Sequence, residues 1–272
     1  MKSHQVNPSP QKQRNITLSF SDFMKIKNGI TNTINDITEG EEKDYIKNDL
    51  ENILKIINEI EQNKEEEENK IIKKEYENGI YEGKIINGVR EGKGKMIWKD
   101  GDRYEGEWKN GKFDGMGIYY FNNGDRYEGE FRNDTCIKGI YFYENGDQYE
   151  GEFKNWKSEG KGVYYYNSGD CAGDKYDGEF KEDESNGKGV YYYKNGDRYE
   201  GDFKNDKPEG KGIVYYNSGN RYEGDYKNDK REGKGIYYFN NGNRKMGDYL
   251  EDKEIGKHVT LHNNGDITSK NY

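Results

Sequence analysis

Side chains that could do acid–base or metal chemistry are few in this sequence. Its three histidines include His258 and His262, whose four-residue spacing would place two metal ligands on one face of a helix. In a strand the same spacing separates them by about 13 Å, so we expect surface side chains there. We therefore expect no catalytic residue, no metal, no cofactor and no enzymatic activity.

Two loop patterns match ligand-binding motifs only in part. The segment Gly106–Lys112 has the glycine spacing of a phosphate loop, but Phe113 stands where that loop needs Ser or Thr. Turns such as Asn123-Gly124-Asp125 lack the twelve-residue frame and closing Glu of a calcium loop. Asn, Asp and Gly are preferred in tight turns, so turn formation explains both patterns.

The composition excludes several classes of protein. Charged residues make up 36% of the 272 residues and hydrophobic residues 30%, which would suggest disorder. The aromatic content of 14% favours half-buried strands instead. A net charge of −9 argues against a nucleic-acid binder. No apolar run or secretory signal is evident, and Cys136 and Cys171 form no CxxC pair, so we expect a reduced cytoplasmic protein.

The first 70 residues follow a different pattern from the rest. Residues 1–17 are polar and non-periodic, which predicts a disordered tail. Residues 18–70 are expected to be helical, and part of them follows the a/d spacing of a coiled coil. The seam consists of Ile46, Leu50, Ile53, Ile57 and Ile60. Because so few heptads seldom form a coiled coil alone, a helix pair packed on itself or on the end of the following array and a dimer through residues 41–63 both stay open.

A motif of Tyr-Glu-Gly-Glu followed by an aromatic residue returns, with small changes, at nearly constant spacing. Seven copies open at Tyr81, Tyr104, Tyr127, Tyr149, Tyr176, Tyr199 and Tyr222. A degenerate eighth copy begins at Lys245. A short fixed period indicates one supersecondary unit copied in a row, each burying its apolar side against its neighbours. We expect this array to span residues 71–267, with 268–272 as a C-terminal tail.

Each copy holds two alternating segments joined by a turn such as Asn110-Gly111, a strong signal for a β-hairpin. The predicted fold is mainly β, an elongated single-layer antiparallel sheet of about eight hairpins preceded by the helical segment. Large rings should lie opposite glycines, which predicts Trp108 opposite Gly117 and Gly106 opposite Tyr119. Right-handed strand twist should give the sheet a groove.

The repeated Tyr, Gly and aromatic positions are expected to pack the sheet together. Those singled out are Tyr104, Gly106, Trp108, Gly117, Tyr127, Gly129, Phe131, Tyr149, Gly151, Phe153, Tyr199, Gly201 and Phe203. On the other face, alternation places Glu105 and Glu107 near Ile118 and Tyr120.

The row that begins with Tyr120 is the better candidate for contact with a partner, because exposed aromatic residues are enriched in interfaces. Its members are Tyr120, Phe142, Tyr165, Tyr192, Tyr215 and Tyr238. Trp156 is a large aromatic residue at a predicted turn and is the single candidate for a contact hot spot. The alternative is that Trp156 forms a local lid over the neighbouring hairpin.

These residues resemble the MORN repeat (membrane occupation and recognition nexus), whose pattern is close to Tyr-x-Gly-x-aromatic, a turn, Gly-x-Gly and a closing Asn/Asp-Gly. The resemblance covers residues 76–267 and is irregular at residues 127–175. It implies a single-layer array of hairpins. It further implies scaffolding or tethering at membrane or cytoskeletal structures, frequently through dimers, and no enzymatic activity.

The leading hypothesis is a non-enzymatic scaffold or adaptor that binds protein partners along the sheet. One alternative is a peripheral membrane adaptor that binds phosphoinositide head groups, for which Lys109 and its repeats are candidates and the acidic balance is unfavourable. Another is a regulatory partner of a separate phosphatidylinositol phosphate kinase. The sequence does not distinguish this last role from scaffolding.

Overall fold

The computed structural model describes residues 20–36 and 41–272. The tail expected at residues 1–17 lies outside these residues. Backbone contacts divide the chain after residue 69 into a helical unit and a sheet unit.

The helical unit contains α1 (Phe20–Asp36) and α2 (Glu41–Asn69). The two helices contact each other, and the Lys27 ammonium group pairs with the Glu61 carboxylate. In α2 the side chain of Ile57 is buried. Four other isoleucines of α2 are between 45% and 55% exposed, namely Ile46, Ile53, Ile56 and Ile60. A coiled coil therefore stays a prediction.

The sheet unit is one antiparallel sheet of 18 strands, and each strand pairs with its neighbours in the chain. The strands are β1 (Ile71–Tyr76), β2 (Gly79–Ile86), β3 (Val89–Trp98), β4 (Arg103–Lys109), β5 (Lys112–Tyr120), β6 (Arg126–Arg132), β7 (Thr135–Phe142), β8 (Gln148–Lys154), β9 (Lys157–Tyr165), β10 (Lys175–Lys181), β11 (Glu184–Tyr192), β12 (Arg198–Lys204), β13 (Lys207–Tyr215), β14 (Arg221–Lys227), β15 (Lys230–Tyr238), β16 (Arg244–Leu250), β17 (Lys253–Leu261) and β18 (Ile267–Asn271). The mainly β fold of repeated hairpins after a helical segment is confirmed.

The prediction that residues 268–272 form a C-terminal tail is wrong, because most of these residues belong to β18. Gly265 adopts a φ of 92° and lets the chain turn back along β17, where Ile267 lies opposite Leu261. Pairing with β17 satisfies backbone groups that a tail would leave to water.

The predicted glycine register is also wrong. Gly106 lies opposite Gly117 instead of Tyr119, and Trp108 lies opposite Phe113. A bulge between Gly106 and Trp108 shifts the pairing within this hairpin. Alternation along each strand gives no sign of such a bulge, because a bulge adds residues to one strand only.

The rings nevertheless lie over glycines, and the ring concerned is the tyrosine that opens each copy. A Cβ atom at Gly106 or Gly117 would come within 2.4 or 2.5 Å of the hydroxyl oxygen of Tyr104. The Tyr104 hydroxyl donates a hydrogen bond of 2.9 Å to the carbonyl oxygen of Glu107. The same bond is made three residues ahead by Tyr81, Tyr127, Tyr149, Tyr176 and Tyr199.

Consecutive hairpins are joined by a carboxylate that lies two residues before the tyrosine opening the next copy. One oxygen of Asp102 accepts from the Tyr119 hydroxyl at 2.6 Å, and the other accepts from the backbone N–H of Asn122 at 2.9 Å. The same pair of bonds is made by Asp125, Asp147 and Asp174. Val214 replaces the tyrosine in a later copy, so Asp197 there keeps an amide bond without the hydroxyl bond.

In the β16–β17 hairpin, other residues stand in place of the opening tyrosine and of one glycine, and the two changes compensate. Lys245 stands at the tyrosine position, and His258 supplies a ring over Gly247 from the facing strand. The Nε2 atom of His258 donates to the Asp248 carbonyl oxygen at 2.9 Å. His258 is only 1% exposed, so the expectation of a surface side chain is wrong for this residue.

Candidate binding surfaces

We call the face of the sheet that carries Tyr104 the ring face, and it is the core of the array. The rings predicted to be structural are at most 8% exposed there, namely Tyr104, Trp108, Tyr127, Phe131, Tyr149, Phe153, Tyr199 and Phe203. The glycines lie under the opening tyrosines, namely Gly106, Gly117, Gly129, Gly151 and Gly201. Edge-to-face contacts link the copies, as between Tyr104 and Phe131 at 5.1 Å and 88°.

The opposite face carries a groove that runs over the paired glycines, which we call the glycine groove. Its C-terminal stretch has a volume of about 1180 Å³ and its N-terminal stretch about 900 Å³. The floor of the C-terminal stretch is backbone, where Gly201 pairs with both Gly189 and Gly212. Alternation sends the side chains before and after each glycine onto this face, where they form two walls.

One wall of the C-terminal stretch has an apolar side chain on every second strand, and the other wall carries paired charges. The apolar members are Val190, Ile213, Ile236 and Val259, and Glu200, Glu223 and Met246 lie between them. Lysines line the other side, and two of them are paired, Lys188 with Asp202 and Lys211 with Asp225, each at 2.5 Å. Three lysines and three acidic residues line this stretch, so its charges balance.

The sequence predicted a groove from strand twist but did not locate its floor. The missing information was that glycine pairs with glycine on neighbouring strands. This pairing leaves bare backbone as the floor at the centre of the groove face. A sequence signal for it exists, because every complete copy has one glycine after its tyrosine and two in its second strand.

The predicted partner row beginning with Tyr120 lies on the groove face at the strand ends, outside the lining of the glycine groove. Tyr192 is 36% exposed, and the others, Tyr165 included, are half-buried. Cations from neighbouring strands lie over the rings at 3.8 to 4.3 Å, namely Arg103 over Tyr120, Arg126 over Phe142, Lys175 over Tyr192, Arg198 over Tyr215 and Arg221 over Tyr238. These rings are already partly covered, and their contact with a partner stays a prediction.

The repeated unit matches a known family along most of the array. The model of the MORN repeat matches seven consecutive segments, residues 81–103, 104–126, 127–148, 149–171, 176–198, 199–221 and 222–244. They make up more than half of the chain. The chain belongs to the MORN-repeat family. The hairpins continue on both sides of the matched segments, from β1 to β18.

Comparison of the MORN protein with other proteins adds little about its function. Among solved structures it is similar to the SAS-4 (dCPAP) TCP domain in complex with a Proline Rich Motif of Ana2 (dSTIL) of Drosophila melanogaster, at 13% identity and a TM-score of 0.40. The match covers 66% of this chain and 90% of that one. A likeness this weak carries no argument about function. None of the curated proteins matches the chain.

Trp156 interrupts the regular pattern of the MORN array. It occupies the second turn position with a φ of 64°, a backbone conformation that bulky residues seldom adopt. Its half-buried ring lies across the preceding hairpin and contacts Tyr119, Phe121, Tyr127 and Phe131 at centroid distances of 5.3 to 5.9 Å. This is the geometry of the local lid, and a role for Trp156 in partner binding stays a prediction.

Metal chemistry finds no geometric support within residues 20–36 and 41–272. No group of three or more His, Cys, Asp or Glu side chains in those ranges is arranged to hold a metal ion. Over the same ranges, neither helix is long and apolar enough to span a membrane. Cys136 is buried, Cys171 is exposed, and both are free thiols.

Proposed function

We propose that this MORN protein is a non-enzymatic scaffold that binds a segment of a partner protein in the glycine groove. The groove itself carries the proposal, because it offers an apolar side chain on every second strand, a backbone floor and charged side chains between and beside them. Such a combination suits apolar anchors flanked by polar contacts.

The length of the groove favours a chain segment over a small molecule. Its C-terminal stretch is lined from β11 to β17, and seven strands spaced ~4.8 Å apart span about 30 Å. An α-helix of about 20 residues has that length. Small-molecule sites are typically enclosed and hold roughly 300–1,000 Å³, whereas this groove is open along its length.

The side chains in the groove support a binding role without catalysis. Its lining contains Gly, Val, Ile, Met, Lys, Glu and Asp, and no His, Cys or Ser. The lysines that could act as bases lie beside carboxylates, as Lys188 does beside Asp202.

A site-specific photo-crosslinker tests the proposal. Benzoylphenylalanine in place of Ile213 should cross-link one partner segment, which mass spectrometry maps to a single peptide. The same group in place of Lys253, an exposed residue at the start of β17 outside the groove, should not cross-link that segment. Ile213→Asp should abolish co-purification of the partner, and Ile213→Val should retain it. Equal cross-linking from both positions contradicts the proposal.

The phosphoinositide alternative gains no support from the groove. Anionic head groups are attracted by clusters of Lys and Arg, whereas the N-terminal stretch has two lysines against four glutamates. Flotation with vesicles that contain or lack phosphoinositides measures this directly. A lipid-dependent shift would favour a membrane adaptor over the protein scaffold.

The cellular setting and self-association are further parts of the proposal. We place the scaffold at membrane or cytoskeletal structures, the setting implied by MORN repeats. The exposed isoleucines of α2 support a homodimer through residues 41–63, and light scattering on Ile53→Asp tests it. Equal molecular masses for the wild-type protein and Ile53→Asp would leave the dimer without support.

A further inference from the structure

A second candidate surface lies on the ring face, beside the turns that connect one hairpin to the next. Six tyrosines form an unbroken row there, which we call the aromatic ridge, namely Tyr141, Tyr143, Tyr164, Tyr166, Tyr191 and Tyr193. Their ring centroids are separated alternately by about 4.7 and 5.7 Å. All six rings are half-buried, so each keeps some surface accessible to a partner.

The two tyrosines of each copy differ in the use of their hydroxyl groups. The inner ones donate to carboxylates, Tyr141 to Asp125, Tyr164 to Asp147 and Tyr191 to Asp174, at 2.7 to 3.2 Å. The outer ones, Tyr143, Tyr166 and Tyr193, make no side-chain hydrogen bond to the described part of the chain. Each copy of the ridge therefore presents one hydroxyl group that is available to a ligand.

Trp156 contacts Phe121 from the second position of its hairpin turn, and in the next three hairpins that position holds an exposed aspartate. The same offset along the array relates Tyr143 to Asp183, Tyr166 to Asp206 and Tyr193 to Asp229, and each aspartate acts electrostatically on its tyrosine. Burial, and to a smaller extent the negative charge of this aspartate, raises the pKa of each of these tyrosines to about 12. The ridge is thus bordered by a row of negative charge at one carboxylate per copy.

Asp229 is the least satisfied of these carboxylates. Asp183 and Asp206 each accept a backbone N–H bond of 2.7 Å from the facing serine. Asp229 faces Pro208, which has no N–H to donate. In the part of the chain that the structure describes, the Asp229 side chain makes no hydrogen bond or ion pair.

Side chains of the protein itself cover the rings of the ring face beyond both ends of the ridge. Beyond Tyr193, the guanidinium group of Arg231 lies 5.4 Å from the Tyr222 ring centroid, and its Nε atom is 3.2 Å from a carboxylate oxygen of Asp252. Before Tyr141, the rings are covered by Trp156. Arg231 shows that this face holds a guanidinium group between aromatic rings and a turn carboxylate.

The distance between successive copies matches the repeat length of one extended ligand conformation. Each copy contributes two strands, which advance by ~9.6 Å. One turn of a polyproline II helix contains three residues and advances by about 9.3 Å, so every third side chain meets the next copy. A β-strand cannot do this, because its residues i and i+3 lie on opposite faces.

We propose that the aromatic ridge, with Asp183, Asp206 and Asp229, binds an arginine-bearing segment of a partner protein in the polyproline II conformation. Arginine stands at every third residue of that segment, one for each copy. Each guanidinium group stacks on a ridge tyrosine and pairs with the corresponding aspartate carboxylate. The outer hydroxyl groups donate to backbone carbonyl groups of the segment, which this conformation leaves free.

Fluorescence anisotropy with synthetic peptides and the full chain tests this inference. A peptide of four Arg-Ser-Ala triplets should bind roughly ten times more tightly than one with the same composition and its four arginines adjacent. A lysine version of the periodic peptide should also bind more weakly, since Lys lacks the planar group. Equal affinity for the periodic and clustered peptides overturns the proposal.

Protein variants locate the binding site. The triple variant D183N/D206N/D229N removes the three negative charges but keeps a side-chain oxygen that can accept the backbone N–H bonds. It should reduce affinity about tenfold. The triple variant E51Q/E59Q/E65Q makes the same charge change on exposed positions of α2 and should leave affinity unchanged. Ile213→Asp, which blocks the glycine groove, should also leave it unchanged. Loss of affinity in either control variant shows general charge attraction or groove binding and overturns the ridge site.

Discussion

The hydroxyl group of Tyr104 donates a hydrogen bond of 2.9 Å to the carbonyl oxygen of Glu107, three residues ahead in the same strand. The bond holds the ring flat against the strand, over Gly106 and the facing Gly117. Glu107 lies within the bulge, where regular pairing is interrupted. The tyrosine therefore satisfies a backbone acceptor and covers the glycines at the same time.

Adding a methyl group beneath this ring should destabilise the array strongly. In Gly106→Ala the new Cβ atom would lie 2.4 Å from the Tyr104 hydroxyl oxygen and 2.5 Å from the Gly117 Cα atom. We expect a loss of about 3 kcal/mol in the free energy of unfolding, measured by urea denaturation. Gly29→Ala in α1 is the matched control, because beyond the local helix backbone no atom of the described residues lies within 4 Å of its Cβ position. A Gly106→Ala protein as stable as wild type would refute the packing described.

Asp147 should make stability depend on pH. Burial alone would raise its pKa, but hydrogen bonds from Asn167, Ser168, Asn145 and Tyr164 outweigh this and hold the pKa below the usual range. The folded pKa is thus below the unfolded value of about 3.9. The stabilisation is present above pH ~4 and is lost as the pH falls through the folded pKa.

Replacing that carboxylate measures its contribution. Asp147→Ala removes acceptors for Tyr164, Asn167 and Ser168 and should lower the free energy of unfolding at pH 7 by about 1–3 kcal/mol. The variant should also lose less stability than wild type between pH 5 and pH 2. Asp170→Asn, at an exposed loop position, serves as the control. Parallel pH profiles for wild type and Asp147→Ala would count against this role.

A tyrosine at position 214 should supply the carboxylate–hydroxyl bond that this copy lacks. Val214 lies opposite both Tyr199 and Tyr222, where four earlier copies carry a tyrosine that donates to the preceding aspartate. Val214→Tyr should give Asp197 this bond and raise the free energy of unfolding by about 1 kcal/mol. Val214→Phe adds the ring alone, so the difference between the two variants isolates the hydroxyl group. Equal stability of the two variants would show that the bond does not form.

The sequence was sufficient for features that depend on local pattern. The two-residue turn at Asn110-Gly111 has positive φ at both positions, and the faces of Tyr104 and Glu105 follow from alternation. The bulge near Gly115 could not be predicted, because its φ of 110° depends on cross-strand packing. The aromatic ridge was missed because it joins tyrosines from different copies at the strand exits, and only the folded sheet brings them side by side.

Trp156 and Cys136 give a direct test of whether the tryptophan is a lid. Burial raises the pKa of the Cys136 thiol to about 11, so wild-type Cys136 should react slowly with a thiol reagent while exposed Cys171 reacts quickly. Trp156→Ala removes a ring that packs on Phe131 and should open this region locally. Labelling of Cys136 should then become at least about tenfold faster, which corresponds to a decrease of about 1.4 kcal/mol in the free energy of local opening. The labelling rate of Cys171 should not change and serves as the internal reference. Trp156→Phe keeps a ring and should fall between the two. If Trp156→Ala leaves the Cys136 rate unchanged, the tryptophan does not protect the core, and its exposed ring surface becomes the stronger candidate for partner contact.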